Sequence, residues 1–162
     1  WAKTVRSGDV ENLEGRAAAY YWRNVFHNPD FVRGQEGDPP NNLLNYGYAI
    51  VRAMVARALV AAGLLPTLGI HHHNRYNAYC LADDIMEPYR PFVDRLVIVM
   101  MKRYEDISKL NTEMKRDLLM LAYQDVLIDG KRSPMQIAIQ TTANSVYKCF
   151  SGEARKIIYP DW

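Results

Sequence analysis

The stretch NNLLNYGYAIVRAMVARALVAAG, residues 41–63, decides the fold. From Leu44 to Ala62 apolar residues occupy every face of a helix, so the segment has to be surrounded by other elements. Gly63 supplies the left-handed residue on which helices often end. On length alone the segment could cross a bilayer. Arg52 and Arg57 lie near its middle, and each would cost roughly 2.5–3.5 kcal/mol in hydrocarbon. The expectation is therefore a buried central helix, with no membrane as partner, in which both arginines find acidic or carbonyl partners.

Towards the N-terminus, Asp9 can cap a first helix with an acidic opening at Glu11 and Glu14 and an apolar body from Ala17 to Phe26. It should end near Asn28-Pro29, leaving a flexible loop over about 28–41 that carries Pro29, Gly34, Gly37, Pro39 and Pro40. Beyond the central helix, Pro66 and Gly69 break the chain, so His71, His72 and His73 sit on an extended connection. Tyr79 to Glu87 reads as helix, bent at Pro88 and Pro91 before the apolar run Phe92 to Met101. Further helices are expected from Thr112 to Leu127, ended by Asp129-Gly130, and from a Ser133 cap with Pro134 at the first position to Phe150. With no strand-like alternation the reading is all-α, a multi-helix bundle around residues 44–62, and residues 1–162 form a single helical domain.

At 162 residues and 49% hydrophobic content the chain can bury a core. A net charge of +2 excludes a polycation and permits a local basic surface. Cys80 and Cys149 form no CxxC pair, which fits a reducing, cytoplasmic setting. The chain opens on Trp1, so a fragment or processed product is expected.

Three separated segments carry the chemistry. Glu14 heads a stripe with Ala17, Ala18 and Tyr21, which reads either as a helix-start acid or as a functional carboxylate at a core edge. Alternation along an extended segment points His72 away from His71 and His73. Asp83, Asp84 and Glu87 can share one helix face, flanked by Leu81, Ala82, Ile85 and Met86. A solvated acidic face is the plain reading; a carboxylate cluster beside apolar residues asks for a cation. Carboxylates with one imidazole suit a divalent metal acting on a phosphodiester. A zinc site from His71, His73 and Cys80 lacks the usual paired spacing. Arginines are scattered among tyrosines, and Arg75 and Arg90 flank the acids, with planar forks that match phosphate or pair with neighbouring carboxylates.

Four ordered motifs carry a resemblance: Glu14-Gly15-Arg16-Ala17-Ala18; Asn41-Asn42-Leu43-Leu44-Asn45-Tyr46-Gly47-Tyr48-Ala49; Leu68-Gly69-Ile70-His71-His72; and Asp84-Ile85-Met86-Glu87-Pro88-Tyr89-Arg90-Pro91. Together they resemble the CRISPR-associated integrase family, Cas-one, over roughly residues 9–160 of its C-terminal helical domain, and are most similar to the type II branch. The resemblance implies a metal-dependent DNA endonuclease and integrase of spacer acquisition, with the family's N-terminal β-domain absent from this chain. It implies Glu14, His72 and Glu87 as catalytic ligands of Mg²⁺ or Mn²⁺, the count from Gly69 falling on His72. Asp84 supports the site, and Arg75, Arg90, Arg16 and Tyr46 are the candidate DNA contacts. The implied partners are double-stranded DNA, both prespacer and repeat, a second copy in the full-length protein, and the small second adaptation protein, Cas-two. An alternative reading is a non-catalytic assembly or DNA-binding module.

Overall fold

A computed structural model describes residues 11–34 and 37–161. Its helices are α1 (Leu13–Val25), α2 (Asn41–Ala61), α3 (Cys80–Met86), α4 (Arg90–Arg103), α5 (Thr112–Leu119) and α6 (Met135–Phe150). Strands β1 (Asp125–Ile128), β2 (Lys131–Pro134) and β3 (Pro160–Asp161) form one antiparallel sheet in the order β2-β1-β3. The Asp9 cap expected for α1 lies outside the described residues.

The central position of α2 is as expected: it packs against α3, α4, α5 and α6, and Leu43, Leu44, Val51, Val55 and Leu59 are fully buried. Its length and apolarity would suit a membrane span, yet more than half of that stretch is buried within the fold. Gly47 permits the close approach of α2 to α4 and α5. A Cβ there would collide with Val93 and stand 3.4 Å from Leu118. One stripe remains open, however. Ala49, Ala53, Arg57 and Val60 are exposed, so apolar composition on every face does not mean burial on every face.

Between α3 and α4, Glu87–Tyr89 form a 3₁₀ turn, the bend expected from Pro88 and Pro91. The Tyr89 ring is buried, and its hydroxyl pairs with Thr142 of α6 at 2.6 Å. That buried pair fixes the turn carrying Glu87.

The all-α reading holds for the bundle but not for residues 125–134 and 160–161. The helix expected to reach Leu127 stops at Leu119, passes through a 3₁₀ turn (Met120–Tyr123), and gives way to a hairpin. Asp129 and Gly130 both take positive φ, 50° and 70°, the requirement of a two-residue hairpin turn whose twist suits flanking strands. Val126 and Ile128 are buried while Asp125 and Leu127 are exposed, a four-residue alternation long enough for a strand and too short to stand out in a helical sequence. Ser133 consequently pairs with Val126 in the sheet instead of capping α6, and Pro134 takes the cap position.

The loop before α2 is tied down where it is described. The Arg33 guanidinium donates to Gly34 O (2.7 Å), Asn41 Oδ1 (3.0 Å) and Asn45 Oδ1 (2.7 Å). Asn41 Nδ2 donates in turn to Val32 O and Asp38 O, each at 3.0 Å.

Candidate metal centre and arginine-lined cleft

The histidine run and α3 are joined by one carboxylate. Asp84 accepts backbone N–H bonds from Ile70 (2.5 Å), His71 (3.0 Å) and His72 (3.1 Å), and its Oδ1 lies 2.5 Å from His72 Nδ1. Burial acts to raise the Asp84 pKa; the bonds from His71, from the His72 ring and backbone and from Ile70 outweigh it and hold the carboxyl below its ordinary value. Gly69 is required here, since a Cβ would strike the His72 carbonyl oxygen and approach Cys80 Cβ to 2.8 Å and Asp84 Oδ2 to 3.1 Å. The sequence Gly69-Ile70-His71-His72 thus wraps its amides around one acid. With Nδ1 committed to Asp84, the His72 Nε2 is left as the free donor atom, the arrangement in which carboxylates orient metal-binding imidazoles.

Glu87 begins the following turn with its side chain half exposed, 3.1 Å from Arg90. Burial raises its pKa, Arg90 and His72 oppose that rise, and the negative charges of Asp83 and Asp84 add to it. His72 and Glu87 are therefore within electrostatic reach of each other. Asp83 is employed elsewhere: Asn77 Nδ2 donates to its Oδ2 at 2.6 Å, and Arg52 Nη2 donates to the same oxygen at 3.0 Å. Arg52 Nε lies 2.8 Å from Asp83 Oδ1 as an ion pair, out of line for a hydrogen bond. Arg52 accordingly finds the acidic partner expected of it, while Arg57 is exposed. The three acids, expected to share one helix face, each reach different partners.

Glu14 stands in the first turn of α1, a helix with no buried residue. Among the described residues no three His, Cys, Asp or Glu side chains stand close enough together to enclose a metal ion. The structure thus joins His72 to Asp84 and pairs Glu87 with Arg90, and Glu14, His72 and Glu87 form no closed cage.

Beside this pair a cleft of about 910 Å³ is lined by Arg33, Tyr48, Arg52, His72, Tyr79 and Arg90. Guanidiniums lie over aromatic rings: Arg33 and Arg90 over Tyr48, at 5.2 and 5.0 Å from its centroid, and Arg52 over Tyr79 at 4.6 Å. Arg90 lines the cleft as well as pairing with Glu87. Arg75 is exposed, stacked over the Tyr76 ring at 4.6 Å, and Arg16 is exposed on α1. Tyr46 packs partly buried against the core and does not line the cleft. In the sequence Tyr48, Arg33 and Arg52 stand only among the scattered arginines and tyrosines, with Arg75 and Arg90 favoured over them as phosphate contacts. Yet Asn45, Tyr48, Ala49, Arg52 and Ala53 recur at three- and four-residue steps on one face of α2, a polar-tipped stripe within an apolar helix.

The sequence model for "CRISPR associated protein Cas1" matches residues 2–122. The chain belongs to the Cas1 family. It is 36% identical over 144 residues to a CRISPR-associated endonuclease Cas1 of Neisseria meningitidis, covering 89% of this chain and 47% of that protein. It is 32% identical over 165 residues to a Cas1 of Francisella tularensis subsp. novicida, covering 94% and 51%. The chain therefore spans about half the length of the curated relatives it matches. Among solved structures, a casposase bound to integration product superposes with a TM-score of 0.76 at 24% identity, over 92% of this chain and 49% of that one. That likeness establishes the fold.

Proposed function

We propose that, within the complete protein, this region is the catalytic part of a spacer-acquisition integrase, with Glu14, His72 and Glu87 holding Mg²⁺ or Mn²⁺ against a DNA phosphate. The observation that carries the reading is the His72–Asp84 pair, with His72 and Arg90, the ion-pair partner of Glu87, both lining the arginine-rich cleft. Bound there, the cation would polarise a phosphoryl oxygen and offset charge on the leaving oxygen.

The chain's own residues supply the rest. Asp84 holds the His72 ring in one tautomer and one orientation, so that Nε2 is presented at no further cost in ordering. Glu87, whose charge burial disfavours, gains by facing a cation. Arg33, Arg52 and Arg90 present planar forks to the phosphate backbone, a sequence-independent and salt-sensitive task. In the joining step a DNA 3′ oxygen forms a new P–O bond at the repeat edge while the repeat's own P–O bond breaks. The proton of the attacking hydroxyl ends on the departing 3′ oxygen. Water in place of that hydroxyl gives nuclease activity. Partners in this reading are double-stranded DNA, a second copy of the full-length protein and the small Cas-two protein.

The second reading, a DNA-binding assembly module, draws on the finding that no three His, Cys, Asp or Glu side chains among the described residues stand close enough together to enclose a metal ion. The deciding experiment compares the full-length protein with residues 1–162 on repeat-containing DNA, with Mn²⁺ and then with excess chelator. Chelator-sensitive joining by the full-length protein and weak joining by the shorter chain are expected. Joining that survives chelation contradicts the metal reading.

A further inference from the structure

The mechanism above makes no use of Asp94, a carboxylate 2% exposed on α4. Both its oxygens are taken by phenols. Tyr21 of α1 donates to Oδ2 at 2.7 Å, and Tyr48 of α2 donates to Oδ1. A buried carboxylate with one partner removed is costly, so Asp94 fixes where the Tyr48 hydroxyl stands, and with it the ring. Tyr48 is itself only 6% exposed, yet it lines the cleft, with the guanidiniums of Arg33 and Arg90 both lying over its ring.

Two guanidiniums on one ring repel each other. The Arg33 pKa is lowered, chiefly by burial and also by the charge of Arg90, while Tyr48 and Asp94 oppose the fall. Other contacts keep both cations in place. Arg33 donates to the neutral oxygens of Gly34, Asn41 and Asn45. Two residues before it, Phe31 joins the stacked pair of Trp22 and Phe26 against the core and anchors this segment. Arg90 gives Nη2 to Glu87. Arg52 differs, because Asp83, which lines the cleft beside it, meets its charge directly. Neither Asp94 nor Glu87 lines the cleft, so the opening is faced by the charges of Arg33 and Arg90 and not by their counter-charges. Two fixed cations at one opening suit a tetrahedral anion, whose oxygens can accept from both forks at once.

We infer that Arg33 and Arg90 form a two-pronged seat for a single phosphodiester of the DNA backbone, and that Tyr48 and Asp94 are the positioning residues that hold the two prongs together. The inference rests on the reading of the cleft as a path for DNA and divides the labour within it: Arg33 and Arg90 act as one contact, Arg52 as another. Tyr48 and Asp94 act through the pair, and this separates them from residues that merely stabilise the fold.

The test is equilibrium binding of a mixed-sequence duplex with 5′-hydroxyl ends to the full-length protein over a series of salt concentrations. Excess chelator removes any contribution from metal, and the temperature is kept below the melting transition of every variant. Each phosphate neutralised on duplex DNA adds about 0.9 to the slope of log affinity against log salt. Arg33→Ala with Arg90→Ala is therefore expected to lower the slope by about one, not two, and the affinity about tenfold. Tyr48→Phe keeps the ring but cuts its tie to Asp94. It is expected to weaken binding about fivefold in the parent and to cost nothing further when both arginines are already alanine. Tyr48→Phe combined with Asp94→Asn removes the orphaned charge, should show the same loss, and covers the case in which Tyr48→Phe folds poorly. A slope lower by about two in the arginine double variant means two separate phosphates and overturns the seat. Parent-like affinity in the folded Tyr48 variants, or a loss that adds in full to that of the two arginines, overturns the positioning role. Parent-like affinity and slope in the arginine double variant and in Arg52→Ala alike overturn the cleft as the path of the DNA, and the seat with it.

Discussion

The two sides of the candidate centre are built differently. On one side His72 and Glu87 are set by the rigid interior: Asp84 gathers three backbone amides and an imidazole, and the Tyr89–Thr142 pair anchors the turn that begins with Glu87. On the other, Glu14 rides on α1, which buries no residue and is tied down two turns further along, through Tyr21 and an aromatic trio. The difference teaches that half of the proposed site is laid down with the core, while the other half would depend on where a surface helix settles. Local stability follows burial, so the two halves should respond differently to mutation, pH and solvent exchange.

The largest effect should come from the rigid side. Glu87→Ala removes a proposed cation ligand worth several kcal/mol in the transition state, so DNA cleavage and joining by the full-length protein should fall more than about a hundredfold. The melting temperature should hold or rise, since burial already disfavours this charge. Equal turnover by Glu87→Ala and the parent at saturating Mn²⁺ would remove Glu87 from the site.

Asp84→Asn should come next, weakening Mn²⁺ binding by about 10–100-fold through loss of control over the His72 ring. It also tests the rigid side by pH. The Asp84 pKa lies below its ordinary value in the folded protein, so the stability it contributes is present above the unfolded carboxylate value, near 3.9. That contribution drains away as pH falls towards the folded value. Denaturant unfolding from about pH 5 to pH 3 should therefore destabilise the parent more steeply than Asp84→Asn, and parallel slopes would contradict the amide cage.

Glu14→Gln should cost activity without stability, because its helix contributes no buried residue. Amide exchange should meanwhile be faster throughout α1 than in α2 of the parent. Protection of residues 13–18 equal to that of residues 51–59 would erase the contrast between the two sides.

The smallest effect belongs to the cleft arginines. Arg52→Ala should weaken binding of mixed-sequence DNA evenly and lower the salt slope by about one. An unchanged slope would place the backbone path elsewhere.

Much of this was legible before any coordinates. Residues 41–63 announced a core helix, Pro88 and Pro91 announced the bend at Glu87, and Pro66 with Gly69 announced the break ahead of the histidine run, though not the amides it wraps around Asp84. The hairpin was missed because Asp129-Gly130 can end a helix or turn a strand, and only four residues alternate before it. The cleft was missed for a different reason: Tyr48 and Arg52 belong to a helix whose apolarity hid its one open face. The Tyr21–Asp94 bond spans 73 residues, and no local pattern foretells a contact of that range.

A crystal of the full-length protein soaked in Mn²⁺, with data collected at the manganese absorption edge, tests the central claim most directly. The account predicts one anomalous peak about 2.0–2.2 Å from His72 Nε2 and from carboxylate oxygens of Glu87 and Glu14, with His72 Nδ1 still on Asp84. A peak bound by other residues, or one that leaves Glu14 turned away on α1, would contradict it.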